Sequence, residues 1–406
     1  MKPFVIFFFV LVLLATVLVS AESAIPPDSK RKIELPVDHW LAEGDYQDFK
    51  AKTEIYTPRL TYQQRYIVRV RATIDLHTLQ KTGIERDFHF LIKVADKDGH
   101  WFPDETYAKS AFATKLKQKT DLEVISEMHF LPGDYTICTI VYDRVQQQRN
   151  VQSQKFHVPE IKDDPLPDLT RDLAPVEFLP ESEQNVLQFG GGRARLPVRT
   201  LHPIHIDLVF DLGAPRQTTR TGFAEYAASQ QILAASLLSQ MDIHEGCLQI
   251  TAIDVLRQEV VFRREDAREI DWFKKRKEAL GRNLNVIAVN KLDTQHEAGA
   301  FFRDAIEQLM VEPPQCIPRT TAPLRRMVIV VTSGVLFPPR TALPEVRPSQ
   351  ACNCQFYYLR VGRLSLFDDL TKILKPLSPR KIQVDDPYKF RKEIKRLLVE
   401  IQQFGE

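Results

Sequence analysis

Residues 205–215 read HIDLVFDLGAP, an apolar run that stops on Asp211 and then meets Gly213 and Pro215. A carboxylate at the end of a buried strand can begin a site for a hard cation, which takes oxygen ligands in near-octahedral geometry. It can equally cap a neighbouring backbone or bind water. A second strand end, VVTSGV, places Thr332 and Ser333 beside a glycine. Ligands of open α/β sheets bind beyond the carboxyl ends of the strands, so residues 211–218 and 332–340 should form one rim. Nucleophilic catalysis finds little support there. Ser333 lacks the glycine spacing of a nucleophile elbow, and no histidine is placed near it by sequence.

The other chemistry-bearing residues have competing readings. Five cysteines occur, Cys138, Cys247, Cys316, Cys352 and Cys354. An odd number leaves at least one thiol unpaired, and the count is too small for a disulfide scaffold. Cys352-Asn353-Cys354 has no second pair at the spacing of a structural zinc site. A bridge from Cys316 to Cys352 or Cys354 is expected, because both loops precede adjacent strands; free thiols are the alternative. Gly190-Gly191-Gly192 is followed by Arg193 and a strand rather than by a helix, so it reads as a flexible turn and not as a phosphate loop. His202 and His205, three apart on an extended segment, face opposite ways and cannot share a metal. Asp242, His244 and Glu245 fall in a turn where solvated polar residues belong. Lys389, Arg391, Lys392, Lys395 and Arg396 read as the solvated outer face of the last helix, with an acidic partner as the alternative.

The elements that must position these residues fall into two sets. YQQRYIVRVRATID (62–75) alternates strictly, with Tyr66, Val68, Val70, Ala72 and Ile74 on one face. DFHFLIKVA (87–95), EVISEMHFL (123–131), TICTIVYD (136–143) and QSQKFHVPE (152–160) follow, separated by turns such as DKDG and PGDY. Short strands with little helical period indicate an antiparallel sandwich. FLPGDYTICTIVYD resembles the late strands of immunoglobulin- or fibronectin-like domains. Residues 159–181 then carry prolines at 159, 165, 167, 175 and 180 among many charges, which suits an interdomain linker.

From about residue 196 the pattern becomes strand, helix, strand. Strands are expected at 204–210, 247–255, 258–263, 327–332, 356–361 and 381–384, with helices at 223–241, 268–280, 295–310 and 364–374 and after Asp386-Pro387. The 247–255 and 258–263 strands are joined so tightly that they must be antiparallel. The expected fold class is therefore α/β plus all-β: a C-terminal doubly wound, mostly parallel sheet preceded by an antiparallel β-sandwich.

With strand ends at FDLGAP and VVTSGV, an antiparallel hairpin strand on a parallel sheet, and SPRKIQVDDPYKFRKEIKRLLVEI (378–401) at the end, the second half resembles a von Willebrand factor A-like domain. The whole layout is similar to bacterial secreted proteins called VWFA-related. The resemblance implies domains at 32–158 (immunoglobulin-like sandwich) and 184–406 (A-like), joined by a linker at 159–183. Such domains hold Mg²⁺ or Mn²⁺ through D-x-S-x-S, a later threonine and a later aspartate. Here Asp211 matches the first aspartate, but Gly213 and Pro215 stand where the serines belong and Ser333 where the later aspartate belongs. Thr294, in KLDTQHEAG, matches the threonine loosely. One carboxylate and a few hydroxyls bring too little charge to dehydrate a divalent ion, so no metal and no cofactor is expected.

The chain of 406 residues has a formal charge of +2, and loss of Lys2 with a leader would leave 54 basic residues against 53 acidic, which argues against bulk binding to nucleic acid. Lys2, the apolar run 4–19 and small residues at Val19 and Ala21 describe a signal peptide of residues 1–21, cleaved after Ala21; an uncleaved anchor is the alternative. No later segment has the apolar length to span a bilayer. The expectation is a secreted or periplasmic, non-catalytic binding protein whose partner is another envelope or extracellular protein. The rival is an envelope hydrolase acting at the rim of the sheet. LFPPRTALPEVRPSQACNC (336–354) must cross the sheet without helical period, either as a packed extended loop or as one wall of a partner-binding groove.

Overall fold

The computed structural model describes residues 34–75, 86–112, 121–178, 194–200, 202–212, 221–264, 270, 272, 297–312, 325–335, 337, 343–349, 352–362 and 368–404. Within them the chain is mostly β, with several antiparallel sheets, one mixed sheet and few helices.

The first part holds a short helix, Val37–Glu43 (α1), and strands Tyr46–Gln47 (β1), Ala51–Ile55 (β2), Arg59–Leu60 (β3), Tyr66–Asp75 (β4), Arg86–Ala95 (β5), Thr106–Phe112 (β6), Asp121–Phe130 (β7), Gly133–Asp143 (β8), Gln148–Val158 (β9) and Val176–Phe178 (β10). One sheet runs β1-β9-β8-β5-β6 and the other β10-β7-β4-β2, with β3 paired to β4. Val68, Val70, Met128 and Phe130 of one sheet meet Ile92, Val94 and Ile137 of the other in a shared core. Strict alternation in β4 puts Tyr66, Val68, Val70, Ala72 and Ile74 on the buried side. β5 is buried along its whole length, because α1 lays Trp40 over the outer face against Leu91, Ile140 and Tyr142. After the Pro-Gly turn, the Tyr135 hydroxyl donates to the Leu131 carbonyl at 3.1 Å, and burial pushes its pKa up to about 12.

The proline-rich stretch is not a bare tether. Pro167–Thr170 forms a 3-10 turn, and β10 adds an edge strand beside β7. Pro175 sits just outside that strand and serves as an acceptor, taking the Leu131 N–H at 2.9 Å. Proline excludes a central strand but permits this edge position.

The second part contains Leu196–Val198 (β11), Ile204–Asp211 (β12), helix Thr221–Leu238 (α2), Met241–Ile243 (β13), Gly246–Asp254 (β14), Glu259–Arg264 (β15), helix Ala298–Val311 (α3), Arg325–Thr332 (β16), Cys354–Val361 (β17), helix Leu370–Ile373 (α4), Arg380–Val384 (β18) and helix Pro387–Phe404 (α5). β11 and β13 pair parallel as a small separate sheet. The main sheet has six strands in the order β15-β14-β12-β16-β17-β18. All of its neighbours pair parallel except β15, which returns antiparallel on β14. β12 therefore lies in the middle, buried on both sides, and its apolar run follows from that position. Ile204, Ile206, Leu208 and Phe210 pack with residues of α2 and α5 on one face. Val209 packs with Phe302, Ile306 and Leu309 of α3 and with α4 on the other. Fully burying one such side chain contributes about 1.5–3 kcal/mol.

The last helix starts as its sequence dictates. The Asp386 carboxylate accepts the Lys389 N–H at 2.8 Å, with Pro387 at the first helical position. Phe390, Ile394, Leu397, Leu398 and Ile401 are buried. Arg391, read above as part of a solvated face, is buried too, which corrects that reading. Its guanidinium donates to both Asp164 oxygens, at 2.5 and 2.7 Å, to the Leu166 carbonyl at 2.7 Å and to the Gln64 amide oxygen at 3.3 Å. The outer face of α5 is partly an interface with the sandwich, where Tyr62 packs on Phe390 and the Tyr66 and Tyr388 hydroxyls lie 3.1 Å apart. Among the described residues no helix is long and apolar enough to cross a membrane.

Candidate functional site

The carboxyl rim of the six-stranded sheet is assembled from the ends of β12, β16 and β17 and the start of α4. Asp211 closes β12 with its carboxylate buried. One oxygen accepts the Val255 N–H at 3.2 Å, just beyond β14, and the other accepts the Thr332 hydroxyl at 3.4 Å. Thr332 Oγ1 in turn accepts the Gly334 N–H at 2.9 Å, shaping the turn that follows β16. Gly334 has φ 95°, a left-handed conformation that glycine adopts without steric cost. Gln231 of α2 completes the stitching, its amide nitrogen donating to the Asp211 and Val331 carbonyls. Ser333 is buried, and its Oγ has no hydrogen-bond partner among the described residues.

A second carboxylate that the sequence reading did not single out lies beside this turn. Asp368 accepts the Tyr358 hydroxyl on one oxygen and the Val335 and Leu370 N–H groups, at 3.4 and 3.2 Å, on the other. Burial raises the Asp368 pKa above the ordinary carboxylate value, although those donors pull the other way. Tyr358 is held far above the usual phenol value by burial first, then by the Asp368 and Asp211 charges. Asp369 accepts the Phe337 N–H at 3.0 Å and pairs with Lys372 at 2.7 Å. The sequence signal that could have pointed here is Asp368-Asp369 directly before a helix, an N-terminal pattern.

Of the residues proposed from sequence, Asp211, Thr332 and Ser333 meet at this rim. Gly213, Pro215 and Thr294 lie outside the described residues. The arrangement is well suited to fixing loops. Both Asp211 oxygens and both Asp368 oxygens accept protein donors, which uses part of the acceptor capacity that a cation would draw on. Among the described residues, the one trio of acidic or histidine side chains close enough to hold a metal is Asp96, Asp98 and His100, far from this sheet in the β5–β6 turn. There Asp96 is occupied with the Asp98 and His100 N–H groups, both at 2.9 Å. Among the described residues no histidine bonds to Ser333 or Thr332 at the rim.

The polar face of β12 also has an amino end. His205 and Asp207, two apart on one strand, share a face. His205 Nε2 lies 3.0 Å from the Asp207 carboxylate and Nδ1 3.0 Å from the Cys247 sulfur. Arg326 Nε donates to Asp207 at 2.5 Å and Nη1 to the Glu312 carbonyl at 2.7 Å. Burial works to raise the Asp207 pKa, but the His205 and Arg326 hydrogen bonds outweigh it and hold the carboxyl below its ordinary value. His202 is exposed, away from this group. Gly246 lets β14 come this close: its φ is 138°, and a Cβ there would fall on the Ile204 carbonyl.

The cysteines correct the disulfide expectation. Cys352 pairs with Cys354, not with Cys316, which lies outside the described residues. The two Cα atoms are 5.1 Å apart, within the span a disulfide bridges, because the chain bends at Asn353 on entering β17. Cys247 is also disulfide-bonded, and Cys138 is a buried free thiol. Residues 343–349 pack across the α3–α4 face, with Val346 buried and its N–H bonded to the Ile373 carbonyl at 2.9 Å, so this stretch is a packed extended strap.

No protein-family model matches the chain, and no curated protein matches it. Among solved structures it is similar to a putative ApaA protein from Bordetella pertussis, at 13% identity over 29% of this chain and 98% of that one, with a TM-score of 0.18. A beta-glucuronidase from Bacteroides uniformis matches at 10% identity over 69% of this chain, with a TM-score of 0.21. A beta-glucosidase from Listeria innocua matches at 11% identity over 27% of this chain, with a TM-score of 0.18. The chain spans 33% of the glucuronidase and 16% of the glucosidase.

Proposed function

We propose that this chain is an exported, non-catalytic binding protein, in which an immunoglobulin-like sandwich carries a von Willebrand factor A-like domain without the family's metal site. The fold part of the reading is supported by the strand order β15-β14-β12-β16-β17-β18, with a single antiparallel edge strand. The export part is supported by the apolar run at residues 4–19 and the small residues before Glu22. One observation carries the functional part: the described rim carboxylates, Asp211 and Asp368, accept backbone N–H groups and the Thr332 and Tyr358 hydroxyls, so among the described residues neither stands as a base beside Ser333. A rim fixed in this way presents a rigid surface to a protein partner, which the reading places in the envelope or outside the cell.

The experiment pairs a broad hydrolase panel with capture of envelope proteins on the immobilised full chain. The expected result is no turnover above a heat-unfolded control, together with a saturable partner that also binds when purified. Turnover that disappears in Ser333→Ala or Asp211→Ala would establish the hydrolase instead.

A further inference from the structure

We propose that the Cys352–Cys354 disulfide is a labile redox couple, opened and closed by exchange with dithiols while the fold around it stays intact. A disulfide stabilises a protein chiefly by restricting the unfolded chain, and this effect grows with the length of the closed loop. Here the sequence separation is 2, the shortest loop after adjacent cysteines, so the bond adds little to stability. The local structure is held by other means. The Cys352 N–H donates to the Ser349 carbonyl at 3.2 Å, and the Asn353 carbonyl accepts the Arg326 N–H at 3.3 Å. Cys354 is then the first residue of β17, in register with Arg326. With the backbone fixed by strap and sheet, opening the bond costs the fold little, whereas a disulfide that stabilises its fold is by linkage harder to reduce.

The pair is also within reach. Cys352 and Cys354 are half-buried and Asn353 between them is exposed, whereas Cys138 is fully buried and its thiol is pushed up to about 11 by burial. In the exchange, a thiolate of the incoming dithiol attacks one sulfur, the Cys352–Cys354 bond breaks, and the released sulfur takes a proton. The second thiol of the dithiol then gives up its proton and attacks the reagent's own sulfur in the mixed disulfide; the reagent–protein bond breaks, the second cysteine sulfur takes a proton, and the reagent leaves oxidised and cyclised. Two electrons and two protons pass to the protein. The inference is independent of the rim and of the binding reading.

The test equilibrates the full-length folded protein in graded mixtures of reduced and oxidised dithiothreitol, followed by alkylation and peptide mass analysis. Cys247, itself disulfide-bonded and part of β14 in the same sheet, is the internal standard. The expected result is an equilibrium constant for reduction of the 352–354 pair at least about a hundredfold above that of the Cys247 bond, about 60 mV at roughly 30 mV per tenfold for two electrons. The melting temperature should be unchanged by that first reduction. In Cys354→Ser the remaining Cys352 should form a mixed disulfide with oxidised glutathione under native conditions. Co-reduction with the Cys247 bond, loss of the folded state on reduction, or absence of the mixed disulfide would each overturn the proposal.

Discussion

Arg326→Ala is expected to lower stability by about 3–5 kcal/mol, the cost of breaking a buried ion pair from one side. Asp207 is buried in the middle of the sheet and Arg326 is nearly so. Without the guanidinium, the carboxylate keeps His205 alone, and the Glu312 carbonyl loses its donor at 2.7 Å. Replacing both partners, in Arg326→Met with Asp207→Leu, should recover most of the loss, because no charge is then left uncompensated. The pH dependence has a definite sign. The folded-state pKa of Asp207 is depressed, so its contribution is complete above the unfolded carboxyl value of about 3.9 and is lost as pH falls through the lower folded value. Urea titrations at neutral and acidic pH would read both effects, and Asp207→Asn should flatten the acid limb. A neutral Arg326→Ala would mean that the cluster is solvated in solution.

Arg391→Ala should have a comparable effect, about 3 kcal/mol, and should act on the joint between the two parts of the chain. The guanidinium is bidentate on Asp164 and also holds the Leu166 carbonyl and Gln64, which belong to the proline-rich stretch and the sandwich. Burial raises the Asp164 pKa, but the Arg391 hydrogen bonds outweigh it and hold the carboxyl below its usual value. Arg391→Lys should not restore stability, since an ammonium cannot reproduce the planar fork. Limited proteolysis should find a new cut within residues 159–175 in either variant while the sandwich stays resistant. An unchanged digest and melt would show that Tyr62, Phe390 and Leu166 hold the joint without the arginine.

Much of the fold was legible because burial imposes a period. The alternating β4 residues and the apolar run of β12 mark a one-sided and a two-sided strand, and both lie where the pattern puts them. The last helix announced itself through Asp386-Pro387. What the sequence concealed depends on pairing between distant residues. Arg391 sits at a polar spacing on its helix, and its burial comes with partners distant in sequence, Asp164, Leu166 and Gln64. His205 and Asp207 look like polar interruptions of a strand until Arg326, 119 residues later than Asp207, arrives beside them. β10 was hidden by its own prolines, which forbid a central strand but not an edge. At the rim, Asp211, Thr332 and Ser333 could be foreseen from strand ends, whereas Asp368 was marked only by a helix-start pattern that does not say which strand ends the helix start will meet.

In the reading proposed above, the rim carboxylates serve the fold and not a cation. The direct measurement is the melting temperature of the full chain, with and without millimolar Mg²⁺ or Mn²⁺, for the native protein and for Asp211→Ala. Asp211→Ala alone should cost about 1–3 kcal/mol, because the buried Val255 N–H loses its acceptor. Neither ion should move the native melt, although a ligand present at one hundred times its dissociation constant would add about 2.7 kcal/mol. A rise with Mg²⁺ or Mn²⁺ that Asp211→Ala abolishes would overturn that reading and make Asp211 a metal ligand.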